Sequence, residues 1–216
     1  MTSGGSRALQ RPTTFAGMMA AEAKMCTEDG LRRGLAFRPN PSDVIITPFA
    51  KSGTTWMQQI VHGLRTGGSM AFDEISEVVP WIEMAHDLGQ ELVALQFAEF
   101  RAFKSHLDWA EVPKGARYIV VFRDPADVLV SMHRFLEGWT FEVGSISLAE
   151  FARKVLSEPG EGDWFTHTAS WWRQSGRHDV LRMTYDRMQS DLTGVINAVA
   201  DFIDPGIDAK ARRIAT

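Results

Sequence analysis

The chain has 216 residues, 44% of them hydrophobic, enough for one sizeable core and too few for two full domains. Its net charge of −4 gives no overall basic field, which argues against nucleic acid or an anionic membrane as partner. Any affinity for anions must be local.

The lone cysteine, Cys26, cannot form an internal disulfide and suits a reducing compartment. No apolar run reaches the ~18 residues of a membrane span, and the first thirty residues lack a signal-peptide core, so a soluble, cytoplasmic protein is expected. Seven Trp and 13 Phe against two Tyr point to a well-filled interior or an aromatic-lined pocket.

Met1 to Gln10 is small and polar and is expected to be disordered. Phe15 to Met25 has the spacing of a short helix. Leu35 to Pro41 reads as a connection, held extended by Pro39 and Pro41. Residues 1–34 are thus expected to form an N-terminal segment, partly disordered or a short helix, ahead of a single domain over 35–216.

Val44-Ile45-Ile46 reads as a buried strand, and Trp56, Met57, Ile60, Val61 and Leu64 form the stripe of a helix stopped at Gly67-Gly68. Between them lies Lys51-Ser52-Gly53-Thr54-Thr55. Such a turn offers free N–H groups, the positive end of the helix dipole, three hydroxyls and one cation, all suited to a phosphate-like oxyanion. It is not a Walker A loop, because Lys51 comes first and Pro48 and Phe49 precede it. Phe72 to Val79 is acidic and mixed, and Pro80-Trp81-Ile82-Glu83 interrupts any helix.

Phe100 to Leu107 has the alternation of a second strand ending on Lys104-Ser105-His106. Two titratable side chains two apart on a strand share a face and converge on one group. Tyr118 to Phe122 is the clearest buried strand and runs into Arg123-Asp124-Pro125, where Asp124 is a good N-cap and Pro125 a good first helical residue. Val128, Leu129, Met132, Phe135 and Leu136 give that helix its stripe. Arg123, at a strand's carboxyl end, has the planar fork that suits a phosphate monoester. Ser131 gains little from capping mid-helix and is expected to turn towards the same ligand.

Ser147 to Glu150 is a capping box opening a helix with Leu148, Phe151, Val155 and Leu156 inward. Glu158 to Asp163 reads as a loop, and Trp164 to Gln174 as a helix carrying Trp171-Trp172. His167 rivals His106 as a base, but its sequence context supplies no partner and it reads as structural. Val180 to Thr184 is a fourth strand ending at Tyr185, followed by a helix from about Ser190 with Leu192, Val195, Ile196, Val199 and Ile203 inward. Alternating buried strands and helices imply an α/β fold, a mostly parallel sheet flanked by helices in a P-loop-like nucleotide-binding architecture. No cluster has metal-ligand spacing, so no metal is expected.

Lys51 to Trp56 resembles the 5′-phosphosulfate loop of sulfotransferases that use 3′-phosphoadenosine 5′-phosphosulfate (PAPS). Lys104-Ser105-His106 resembles the same family's Lys-Thr/Ser-His element. Arg123 to Phe135 resembles its 3′-phosphate motif, Arg-x-Pro-x-Asp-Val-x-x-Ser ending in Phe. The aromatic helix around Trp171-Trp172 and the strand-end Tyr185 also have counterparts, and the resemblance runs in order from about Phe37 to Ile203.

The resemblance implies transfer of a sulfuryl group from PAPS to a hydroxyl or amine of a small acceptor, with adenosine 3′,5′-bisphosphate as product and no metal. His106 would be the general base. Lys51 would hold the 5′-phosphate with residues Ser52, Gly53, Thr54 and Thr55, and Lys104 would orient the sulfuryl oxygens. Arg123 and Ser131 would bind the 3′-phosphate, and Trp56 and Tyr185 the adenine. Trp81 would border the acceptor pocket. With Met84, Phe97, Trp139 and Phe141 it would favour a hydrophobic alcohol or phenol.

One departure stands out: the family's later Arg-Lys-Gly clamp has no counterpart before Thr216, so Arg123 and Ser131 are expected to hold the 3′ side with less help. Two alternatives remain. One is a non-catalytic nucleotide-binding relative; the other is a P-loop kinase or hydrolase with Asp124 as its acid, which would need Mg²⁺.

Overall fold

The computed structural model describes residues 10–96, 98, 100–157 and 163–215. The expectations for 1–9, for Phe97 and for 158–162 lie outside the described residues. Two compact units are distinguished: one of Met1–Met25 with Leu129–Pro159, the other of Cys26–Val128 with Gly160–Thr216.

The larger unit is built on four parallel strands, β1 (Val44–Ile46), β2 (Ala102–Lys104), β3 (Arg117–Phe122) and β4 (Val180–Thr184), in the order β2-β1-β3-β4. The parallel α/β sheet inferred from the sequence is therefore present. Alternate residues on β1 and β3 enter two different cores. Val44, Ile46, Ile119 and Val121 pack with α3 (Thr54–Thr66) and α9 (Leu192–Ile203), whereas Ile45, Tyr118 and Val120 pack with Phe37, Phe103 and Trp171. Trp171 lies on α7 (Trp164–Trp172), and its indole donates to the Leu107 carbonyl at 3.1 Å.

The amino ends of three strands meet at Asp43. Its buried carboxylate takes two hydrogen bonds from Arg101, and its carbonyl accepts from Arg117 N. The Arg101 guanidinium also lies over the Phe37 and Phe103 rings. The order of strands puts the switch point between β1 and β3: β1 leads to β2 on one side, and β3 to β4 on the other. Ligands of open parallel sheets bind at the carboxyl ends of such a pair.

The expected stripes of α3 and α9 are buried apart from Trp56 and Leu192, which are partly covered. Four helices were not read from the sequence: α2 (Glu28–Leu35), α4 (Ile75–Val78), α8 (Tyr185–Ser190) and α10 (Ala209–Ile214). No helix among the described residues is long and apolar enough to cross a membrane.

The smaller unit contains α1 (Phe15–Glu22), most of α5 (Pro125–Leu136) and α6 (Leu148–Ser157). Met18, Leu136, Phe141, Ile146 and Phe151 form its core. Phe141, expected to line a pocket, is fully buried there. Of the residues expected inward on α6 only Phe151 is buried; Leu148, Val155 and Leu156 are exposed. On α5, Phe135 is exposed rather than inward and stacks on the exposed Trp139 at 5.9 Å.

Candidate functional site

After β1 the backbone must turn sharply into α3. Lys51 adopts φ +64°, rare for a residue with a side chain, and Gly53 adopts φ +95° as the residue that opens the helix. Strain of this kind tends to be kept where it positions a ligand. No side chain caps α3. Ser52 and Thr54 are buried, yet neither hydroxyl oxygen has a hydrogen-bond partner. Buried polar atoms are normally paired, so two orphans at an uncapped helix N-terminus fit an oxyanion. Thr55, by contrast, is exposed. Burial, and then the charge of Arg123, hold the Lys51 ammonium below its ordinary range.

After β3 the Arg123 guanidinium reaches back to this corner, its Nη1 donating to the Lys51 carbonyl at 2.8 Å. It lies 4.2 Å from the centre of the Tyr185 ring, and its buried Nε makes no hydrogen bond. The carboxylate of Asp127 stands 3.9 Å from that Nε and is largely exposed, so it leaves the guanidinium available to a stronger anion. Tyr185 follows β4 directly and meets Trp56 edge to face, with centroids 6.0 Å apart. The two rings stand at 79° to one another. Ser131 lies half-way along α5, half-buried, in the smaller unit.

At the end of β2, Lys104 and His106 project near the segment that carries Trp81 and Glu83. The Lys104 Nζ sits 3.6 Å from the centre of the Trp81 ring, and the His106 ring packs edge to face on the same indole at 5.2 Å. His106 Nδ1 lies 2.7 Å from the Pro48 carbonyl. A carbonyl only accepts, so Nδ1 carries the proton of the neutral ring and the lone pair is at Nε2. Burial first, then the nearby Lys104 charge, push the His106 pKa down to about 3. Burial likewise pulls Lys104 down to about 8, against the raising influence of Glu83 and Glu74. The fold thus brings Lys51 to Trp56, Arg123 and Tyr185 to one end of the sheet, and Lys104, His106 and Trp81 to the neighbouring strand end.

The sequence underrated two residues. Glu83, read from the sequence as the end of a Pro-aromatic-aliphatic-Glu turn with no role of its own, is buried and accepts the His106 backbone N–H at 2.6 Å. His167 is 2% exposed, packs edge to face on Phe49 at 5.7 Å, and has no hydrogen-bond partner on either ring nitrogen. Its burial agrees with a structural reading, but the fold gives it a place beside the β1 loop that its sequence neighbours could not reveal. No group of three or more His, Cys, Asp or Glu able to hold a metal occurs among the described residues.

Comparison with known proteins adds three findings. Residues 41–214 match the model of the family described as Sulfotransferase domain. Sulfotransferase 1B1 of Mus musculus is 29% identical over 188 residues, covering 81% of this chain and 62% of that protein. Sulfotransferase 4A1 of Homo sapiens is 28% identical over 184 residues, covering 80% and 63%. The chain therefore spans about three fifths of the length of these curated relatives. Among solved structures, mouse sulfotransferase SULT7A1 complexed with PAP superposes with a TM-score of 0.66 at 22% identity, covering 89% of this chain and 70% of that one. Retinol dehydratase in complex with androsterone and inactive cofactor PAP gives 0.70 at 19%, covering 88% and 68%.

Proposed function

Given that the chain belongs to the sulfotransferase domain family, we propose that it moves a sulfuryl group from PAPS to the hydroxyl, or amine, of a small hydrophobic acceptor, with His106 as general base. The observation that carries this reading is the pair of buried, unpartnered hydroxyls of Ser52 and Thr54 at the uncapped start of α3, beside Arg123. When bound, the donor supplies an activated sulfuryl group and two phosphates.

This chain's residues do the rest. Lys51 and the amides from Ser52 to Thr55 hold the 5′-phosphate and offset charge that grows on the leaving oxygen. Arg123 holds the 3′-phosphate, and Tyr185 and Trp56 contact the adenine. Lys104, largely protonated at neutral pH, orients the sulfuryl oxygens. His106 is neutral, with Nε2 free to take the acceptor proton. A ring whose pKa is about 3 is a weak base on its own, but anionic groups brought beside it raise that value and strengthen it. Trp81 forms one wall of the acceptor pocket. An alcohol or phenol is favoured because similar structures are complexes with androsterone and with retinol, both apolar alcohols. The single cysteine is in keeping with work in the cytoplasm.

The test is a labelled-donor assay against a panel of phenols, alcohols and amines, run on wild type and His106→Ala. The variant is expected to lose about 10²–10⁴ in rate while still binding adenosine 3′,5′-bisphosphate. Near-normal turnover in the variant removes His106 from the reaction. Nucleotide binding without transfer to any acceptor supports a non-catalytic relative instead.

A further inference from the structure

Between β1 and the Lys51 corner the chain passes through Pro48 and Phe49. The Pro48 carbonyl, which faces His106 Nδ1 at 2.7 Å, belongs to the peptide unit that ends at the Phe49 Cα. That unit is planar, so whatever fixes its Phe49 end also aims the carbonyl. Upstream, Thr47 is anchored twice: its N donates to the Ile119 carbonyl at 2.9 Å and its hydroxyl to the Leu107 carbonyl at 3.1 Å. Downstream, Ser52 N donates to the Phe49 carbonyl at 3.1 Å. The Phe49 ring itself meets the buried His167 ring of α7 edge to face, at 5.7 Å and 66°.

Helix α7 gives that contact a firm base. Asp163 caps its start, accepting Thr166 N at 2.7 Å. One turn beyond His167, the Trp171 indole donates to the carbonyl of Leu107, the residue after His106. Neither ring nitrogen of His167 has a hydrogen-bond partner, so His167 meets Phe49 through ring packing alone. The partner of one histidine nitrogen decides where the other keeps its lone pair.

We propose that Phe49 and His167 are positioning residues for His106: their ring contact seats the Pro48 carbonyl against Nδ1 and so leaves the lone pair at Nε2, the atom that takes the acceptor proton. The proposal rests on the reading above, in which His106 is the base.

The ring nitrogen resonances of His106, assigned through His106→Asn, report its tautomer without any turnover. Wild type is expected to show a single form, protonated at Nδ1. Phe49→Ala and His167→Ala each delete one ring of the contact and are expected to show both tautomers. In the same two variants kcat is expected to fall about 10- to 100-fold while affinity for adenosine 3′,5′-bisphosphate stays put. Phe49→Tyr and His167→Phe retain a ring and are expected to retain the single form. His167→Phe also takes two unmet nitrogens out of the interior, so it should fold at least as well as wild type.

A single tautomer in both alanine variants overturns the proposal, and so does loss of the single form in His167→Phe. A tautomer change that leaves kcat alone, or nucleotide affinity that falls in step with kcat, overturns it as well. Mixed tautomers in the alanine variants of a protein that transfers nothing uphold the Phe49–His167 assignment and count against the transfer reading instead.

Discussion

Arg123 donates a 2.8 Å hydrogen bond to the carbonyl of Lys51, a residue that lies 72 positions earlier and after a different strand. Through this bond the two strand-to-helix corners at the β1/β3 switch point become one surface. It also orients Arg123, whose face rests on Tyr185 and whose Nε makes no hydrogen bond.

Arg123→Lys keeps the charge but loses both the planar fork and its fixed direction. A charge-assisted hydrogen bond contributes about 1.5–3 kcal/mol. Affinity for adenosine 3′,5′-bisphosphate is therefore expected to fall about 10- to 100-fold, as read by titration calorimetry. Unchanged affinity would place the nucleotide elsewhere.

Gly53→Ala should weaken the folded state. At φ +95° a side chain is strained, and a Cβ would stand 3.0 Å from Tyr185 Cδ2. The expected loss is about 1–3 kcal/mol in urea unfolding, with the Trp56–Tyr185 packing disturbed as well. A variant as stable as wild type would mean that the corner does not need this conformation.

Asp43→Ala removes one partner of a buried ion pair and leaves the Arg101 guanidinium uncompensated. Breaking such a pair costs about 3–5 kcal/mol. The melting temperature should drop sharply, because Asp43 also accepts Arg117 N through its carbonyl at the same strand ends.

His106 and His167 are both kept neutral, chiefly by burial, with values of about 3 and about 4. An unfolded histidine takes its proton near pH ~6.5. Below that pH the unfolded chain binds more protons than the folded one, so these two residues make stability fall as pH drops, until each folded value is passed. Glu83, pushed up by burial, acts in the opposite sense. Comparison with a variant isolates one contribution. Urea unfolding between pH 7 and 4.5 should be less steep in pH for His167→Asn than for wild type, by at most about 1.4 kcal/mol per unit. Parallel curves would mean that His167 is not held neutral.

The sheet was legible chiefly from β1 and β3, whose Val44-Ile45-Ile46 and Ile119-Val120-Val121 runs are apolar and β-branched, and from the α3 and α9 stripes, which keep helical spacing over three turns or more; β2 has no β-branched residue and showed only as an alternation. Helix α2 was hidden by Gly30 and Gly34, which lower helix propensity. Gly34 is needed for close approach, since a Cβ there would collide with the Ile82 carbonyl; at Gly30 a Cβ would meet only the carboxylate of the exposed Asp87 side chain. Helices α4, α8 and α10 have four to six residues each, too few for periodicity to register. The outward faces of Phe135, Leu148, Val155 and Leu156 depend on what lies opposite them, which local sequence does not encode. At the candidate site, Lys51, Lys104, His106 and Arg123 could be picked out from motif order. Glu83 could not, because its significance lies in a hydrogen bond to a residue 23 positions away.

The most direct measurement is a crystal structure with adenosine 3′,5′-bisphosphate. One phosphate should lie on the amides and hydroxyls of Ser52 to Thr55 beside Lys51, and the other against Arg123, with the base at Tyr185. A nucleotide that leaves both corners empty, for instance by entering the cavity of about 1030 Å³ lined by His62, Arg65, Gln96 and Asp208, would contradict the shared grip of Lys51 and Arg123 on a single donor.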